Sequence, residues 1–349
     1  MSIQTVLGKI SKNELGIVAP HEHIFIDMEV FFEAEDEIKF KNYAYEEVTI
    51  EKLGLLKRNP FAMLDNVRMM NEETQFNEIM EFRYAGGQTI VDATTFGIGR
   101  SPELLRKMAI KSQMNIVAGA GYYVEPAICS KMQNIPVETL EEEIVRQVKI
   151  GIGHTNIKAG VIGEVGVSHV MYPFEKKSLI ASCRAQKRTS APLMVHVNPW
   201  SQMGLEAMKI IKKHEIDPKK VVICHVDVEN KEDYILQLLD MGVYIEFDNF
   251  GKEMAVDIWN CKPGSGRFST DWERIELIEK LLKKGYEKQI LLSCDVCLKQ
   301  LLHAYGGWGY DHVLSHIVPM LLEKGVAEKQ IDTMLIENPA EWLNVEEVI

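Results

Sequence analysis

Along the chain, short apolar runs rich in β-branched residues alternate with longer amphipathic ones. The short runs cover 16–19, 89–92, 115–118, 159–162, 193–195, 221–224, 243–246 and 290–293. Each is too short for a helix and apolar on successive residues, which is how a strand buried on both faces reads. The gaps carry helical periodicity. Residues 102–108 follow Ser101, a suitable N-cap, and place Pro102 at the first helical position. Segments 140–150 and 272–282 repeat apolar residues every three or four positions. The second starts after a Thr270 or Asp271 cap and stops at Gly285. Strand then helix, repeated eight times, predicts an α/β fold of the (β/α)8 TIM-barrel type in a single domain spanning 1–349. An open doubly wound sheet is the structural alternative. Two connections are long, about 24–60 after the first strand and 248–269 after the seventh. The second contains Gly251, Trp259, Pro263, Gly264 and Gly266. Long loops after barrel strands are where substrate pockets are built, and these two are expected to shape one.

The polar residues change the picture once they are placed on this frame. His21 and His23 follow strand one, Glu164 follows strand four, His196 closes strand five, His225 closes strand six and Asp295 closes strand eight. In a barrel these ends meet on one rim. Residues i and i+2 of a strand share a face, so His21 and His23 can hold one ion together while Glu22 points away. Imidazoles with carboxylates suit zinc and other borderline divalent ions. Any one of these residues alone has an ordinary structural reading: a satisfied core histidine, a paired buried acid, a helix cap. Six of them at the same end of five strands predict a metal centre. His154, His169, His214, His303, His312 and His316 fall in expected loops or helices and read as structural. Cys294 and Cys297 bracket Asp295 as Cys-x-x-Cys, but no second pair has the spacing of a zinc knuckle, so they read as buried thiols.

Composition sets limits. With 349 residues, 46% of them hydrophobic, the chain can bury a large core. A formal net charge of −12 argues against general binding to nucleic acid or anionic membranes, and leaves a small-molecule substrate as the expected partner. There is no transmembrane run, and the N-terminus lacks the basic start and apolar stretch of a signal peptide, which points to a cytoplasmic setting. The six cysteines show no framework spacing and are expected to be reduced.

These motifs resemble the phosphotriesterase family of the amidohydrolase superfamily. The similarity begins at Gln4-Thr5-Val6-Leu7-Gly8 and Pro20-His21-Glu22-His23. It passes through Val91-Asp92-Ala93-Thr94-Thr95, Gly119-Ala120-Gly121-Tyr122-Tyr123 and Lys158 to Gly166, and ends at Glu337-Asn338-Pro339. Phosphotriesterase itself bridges its metals with a carboxylated lysine. Here Glu164 takes that position, as in the homology and phosphotriesterase-related branches, which Phe247 to Lys252 and Tyr305 to Tyr310 also resemble. The resemblance implies two divalent ions, zinc the first choice. It implies one held by His21, His23 and Asp295, the other by His196 and His225, with Glu164 bridging. It further implies a metal-bridging hydroxide, with Asp295 accepting its proton, acting on a small ester, lactone or N-acyl amide. A homodimer is compatible with the resemblance alone.

Tyr123, or its neighbour Tyr122, is expected to face the pocket. Lys252 and Lys299 are candidate anchors for an anionic substrate group, each with a solvated lysine as its ordinary reading. The alternatives are an organophosphate triester hydrolase, a cyclic amidohydrolase or deaminase acting on nucleobases, and a non-catalytic ligand-binding barrel.

Overall fold

The structure is a computed structural model describing residues 2–37, 40–254 and 266–345. Trp259, Cys261, Pro263 and Gly264 of the second long loop lie outside the described residues. Eight strands pair parallel in chain order: β1 Val18–Glu22, β2 Thr89–Asp92, β3 Asn115–Ala120, β4 Val161–Val167, β5 Leu193–Val197, β6 Val221–Ile223, β7 Tyr244–Phe247 and β8 Ile290–Leu292. Helices α1 Glu72–Tyr84, α2 Pro102–Ser112, α3 Val137–Lys149, α4 Pro173–Thr189, α5 Met203–Lys213, α6 Glu232–Asp240 and α7 Asp271–Lys283 connect them. Short helices α8 Val318–Glu323, α9 Glu328–Asp332 and α10 Asn338–Leu343 follow β8. The cap expected for α7 forms: Thr270 accepts from the Glu273 backbone N–H, and Gly285 leaves the helix with a φ of 88°.

Alternation along the strands sorts their side chains into two sets. Ile90, Ile116, Val195, Ile223, Ile245 and Ile290 pack outward in the large core shared with the helices. Val18, Val91, Val117, Val161, Met194, Val222, Tyr244 and Leu291 fill the barrel interior with Ile3, Leu15 and Trp342. One step of two residues further on, several inward positions turn polar: His196, Glu246 and Ser293.

Between β8 and β1, the seam is stitched by Ser293. Its Oγ accepts from the His21 N–H at 3.1 Å and lies 2.8 Å from both the His21 carbonyl and Glu22 Oε1. Glu22 also accepts the N–H groups of Cys294 at 2.8 Å and Val296 at 2.7 Å, so its carboxylate holds both neighbours of Asp295. Burial pushes the Glu22 carboxyl up to about 7 against these hydrogen bonds.

The strand boundaries differ from the sequence expectation at two ligands. Glu164 lies inside β4 and not after it, where the β4–β5 register shifts between Ile162 and Val165. His21 lies inside β1, which runs to Glu22. The loop after β1 is also less bare than its sequence suggests. It holds a strand pair, Ile26–Asp27 with Arg68–Met69, and a small apolar cluster of Val48, Leu56 and Met63.

Candidate metal centre

All six expected ligands converge. Glu164 is the hub, 1% exposed, and its two oxygens divide the histidines. Oε2 lies 3.0 Å from His196 Nδ1, 3.4 Å from His21 Nε2 and 3.6 Å from His225 Nε2, while Oε1 lies 3.4 Å from His23 Nε2. Asp295 Oδ1 lies 3.2 Å from His23 Nε2 and 3.8 Å from His21 Nε2. His225 Nε2 is 2.8 Å from His196 Nδ1.

His225 needs a backbone device to get there. Val222 and Cys224 already face inward, so simple alternation would turn His225 away. Its φ of 59° lies in the left-handed region, uncommon outside glycine, and swings the ring back to Glu164. Asp295 has a φ of 46°.

Behind the ring of ligands stands a ring of supports. His21 Nδ1 is 2.9 Å from Glu246, His23 Nδ1 2.8 Å from Thr94 Oγ1 and His225 Nδ1 3.0 Å from Asp248. With Nδ1 engaged, each ring directs Nε2 at Glu164. The buried His21 Nε2 has no hydrogen-bond partner. Imidazoles fixed through one nitrogen, with the other aimed at a shared carboxylate, form the arrangement of metal-ligating histidines. The donor set of imidazole nitrogen and carboxylate oxygen fits zinc-like divalent ions. His21, His23 and Asp295 bring ligand atoms within 4.8 Å of one another, and so do His21, Glu164 and His225.

The electrostatics are those of a site that keeps its carboxylates charged. Burial pushes Glu164 up, but the surrounding histidines, His196 foremost, hold it well below the usual carboxylate range. Burial likewise opposes ionisation of Asp295, and Lys252 with the histidines outweighs it. His225 rises to about 10 because Asp248 overcomes the cost of its burial.

The other expected residues separate. Tyr123 turns into the site: its hydroxyl lies 3.4 Å from His196 Nε2 and its ring packs edge-on against the imidazole at 4.7 Å. Tyr122 turns away and packs on Phe174 and Phe96. Lys252, 3% exposed, pairs with Asp295 Oδ2. Lys299 is not brought to the cluster. Its ammonium pairs with Asp65 at 2.5 Å and its backbone N–H donates to Asn66, so it staples the loop after β1 to the segment following β8. None of the six histidines read as structural joins the metal groups found among the described residues. The described cysteines are free thiols, Cys294 buried and Cys297 partly exposed.

Pattern reading does not find the supports Glu246, Asp248 and Thr94. For Glu246 and Asp248 the signal is the presence of acids at inward positions of the apolar run Tyr244-Ile245-Glu246-Phe247-Asp248, and Thr94 has none.

From the loop after β1, Phe31 packs edge-on against Tyr123, with ring centroids 6.2 Å apart. Trp200, after β5, packs with Phe268, Met254 and Val228. Among the described residues no helix is long and apolar enough to cross a membrane.

Known proteins share this architecture over their full length. The Phosphotriesterase family model matches residues 1–343. An N-acetyltaurine hydrolase of Dictyostelium discoideum is 37% identical, with 98% of each chain covered. A phosphotriesterase-related protein of Nematostella vectensis is 36% identical, with 97% of each covered. Among solved structures, a resiniferatoxin-binding protein from Rhodobacter sphaeroides superposes with a TM-score of 0.94 at 31% identity, covering 99% of this chain and 96% of that one. Full-length matches of this depth, on a barrel whose rim gathers four histidines, a glutamate and an aspartate, make the chain a member of the phosphotriesterase family and a hydrolase of that family.

Proposed function

We propose that this chain hydrolyses small N-acyl amides of the N-acetyltaurine type with the help of two divalent ions, zinc the first choice. The observation that carries the reading is Glu164, whose two oxygens reach all four histidines at 3.0–3.6 Å, as a ligand shared between two ions must. Similarity to the Dictyostelium discoideum N-acetyltaurine hydrolase supplies the substrate class.

His21, His23 and Asp295 would hold the more enclosed ion, and His196 and His225 the more open one. His196, assigned to the open ion, has the most exposed side chain of the six, at 12%. The ions, when bound, would lower the pKa of a water and polarise the acyl carbonyl. The protein groups do the rest. Phe31 packs on Tyr123 beside His196, so the loop after β1 would shape the pocket there, and the loop after β7 that carries Lys252 would shape it on the Asp295 side. Tyr123 holds the His196 ring in place and presents its hydroxyl to the acyl group. Asp295 takes one proton of the attacking water and returns it to the leaving nitrogen as the C–N bond breaks, giving a carboxylic acid and an amine, and the acid then gives up its proton so that the products leave as carboxylate and ammonium. Glu22 keeps Asp295 in register for both transfers through the N–H groups on either side of it.

The test is a substrate panel on purified protein: N-acetyltaurine, N-acetyl-β-alanine, a γ-lactone, an aryl acetate and an aryl phosphate triester, each with and without chelator. The amides are expected to be turned over fastest, with activity lost to chelator and restored by zinc. Turnover indifferent to chelator, or a preference for lactone or triester over every amide, would overturn the reading.

A further inference from the structure

A lysine in a long loop normally lets its ammonium reach water, because that group is strongly hydrated. Lys252 does the opposite. It is 3% exposed, and among the described residues it is the one lysine or arginine ion-paired to a ligand of the cluster. Its partner Asp295 has divided duties. Oδ1 faces His21 and His23, and Oδ2 faces Lys252. One carboxylate cannot neutralise both a divalent ion and a buried ammonium. His196 and Asp295 are the most exposed side chains of the cluster, so Lys252 pairs with one of its more open members.

The position is built, not incidental. On one side of Lys252, Asn249 gives its backbone N–H to Asp227 at 3.0 Å and its amide to Asp227 at 2.8 Å and Asp248 at 2.6 Å. On the other, Glu253 Oε1 accepts the Asp271 N–H at 2.9 Å, and Gly251, just before Lys252, gives its own N–H to Asp271 at 3.0 Å. Both clamping acids are held by one fully buried arginine, Arg274 of α7, at 2.9 Å each, and His312 holds Asp271 at 2.7 Å. Gly251 has a φ of 82°, and a side chain there would press on Trp308 and His312 at 3.2–3.3 Å. The backbone leading into Lys252 is therefore tied to paired, buried charges, as the lysine of a preorganised anion receptor has to be.

We infer that Lys252 forms an anion subsite, and that the substrate is an N-acyl amide whose amine portion ends in a sulfonate or carboxylate. This deepens the amide reading proposed above and rests on it. In this arrangement the anion pairs with the Lys252 ammonium and sets which end of the amide faces the histidine cluster. The Asp227–Arg274–Asp271 clamp acts through Lys252 as a positioning network.

Three amides of nearly one shape decide it: N-acetyltaurine, N-acetyl-β-alanine and the uncharged methyl sulfone CH3CONHCH2CH2SO2CH3. Binding to zinc-loaded protein is read by calorimetry and turnover by amine release, for wild type, Lys252→Met and Lys252→Arg, with metal content measured in each. Wild type is expected to bind both anions ~100-fold tighter than the sulfone. Lys252→Met should remove most of that preference, mainly through binding and KM, and Lys252→Arg should restore part of it. Equal binding of sulfone and anions by wild type overturns the subsite, whether or not the amides are hydrolysed. A Lys252→Met variant that weakens all three alike also overturns it, since that is the behaviour of a counter-ion serving Asp295 alone. If the anions bind with the expected preference but no amide is cleaved, the amide reading fails and the subsite stands.

Discussion

The two ends of this barrel are made from the same strands and obey opposite rules. At the lower end, Val18, Val91, Val117, Val161, Met194, Val222 and Leu291 form a dry plug closed by Ile3, Leu15 and Trp342. At the upper end, two residues further along several of those strands, the interior holds His196, Glu246 and Ser293, joined by His21, Glu164, His225 and Asp295. Burial is deep in both, with only His196 and Asp295 partly exposed at the rim. The plug gains free energy from removing apolar surface from water. The rim gives free energy up, because buried acids and imidazoles must be matched one by one. The lower end therefore serves stability, and the upper end spends part of that stability on preorganised charge.

If this division holds, substitutions at the two ends should separate stability from chemistry. The largest effect is expected from Glu164→Ala. It should lower kcat/KM for an N-acyl amide by ~1000-fold or more, equivalent to about 4 kcal/mol, and reduce bound metal while far-ultraviolet circular dichroism stays native. Trp342→Ala is the matching test at the lower end. It should cost roughly 3–5 kcal/mol of unfolding free energy in denaturant titration, yet leave metal content and kcat per folded molecule unchanged. Loss of metal in that variant would mean the two ends are not separable.

Smaller changes sharpen the boundary. Glu246→Gln alters a support and not a ligand. It should weaken metal affinity roughly 10- to 100-fold by competition with a chelator, without unfolding the protein. Lys299→Ala should change stability by no more than about 1 kcal/mol and leave substrate preference alone, because its partly exposed pair with Asp65 ties loops together. A shift in preference towards neutral amides would return Lys299 to the binding site.

How much of this was legible in the sequence follows the same division. The lower end is written in plain alternation, and eight short apolar runs suffice to place it. The candidate ligands were legible as polar residues at the ends of those runs. What alternation cannot show is where it is broken. His225 reaches the cluster through a left-handed φ, and Glu164 sits within its strand beside a register shift. Glu246, Asp248 and Thr94 escaped notice because supports act through ligands and have no spacing of their own. The two lysines looked alike in sequence. Tertiary packing sends Lys299 to Asp65 and buries Lys252 against Asp295, and no local pattern encodes that difference.

Metal stoichiometry tests the central claim most directly. Wild type, Glu164→Ala and the His21→Ala/His23→Ala double variant would be equilibrated with zinc, desalted and measured by elemental mass spectrometry. The arrangement calls for two ions per chain in wild type and fewer in both variants, each remaining folded. Wild type that retains no stoichiometric metal, or variants that retain as much as wild type, would contradict it.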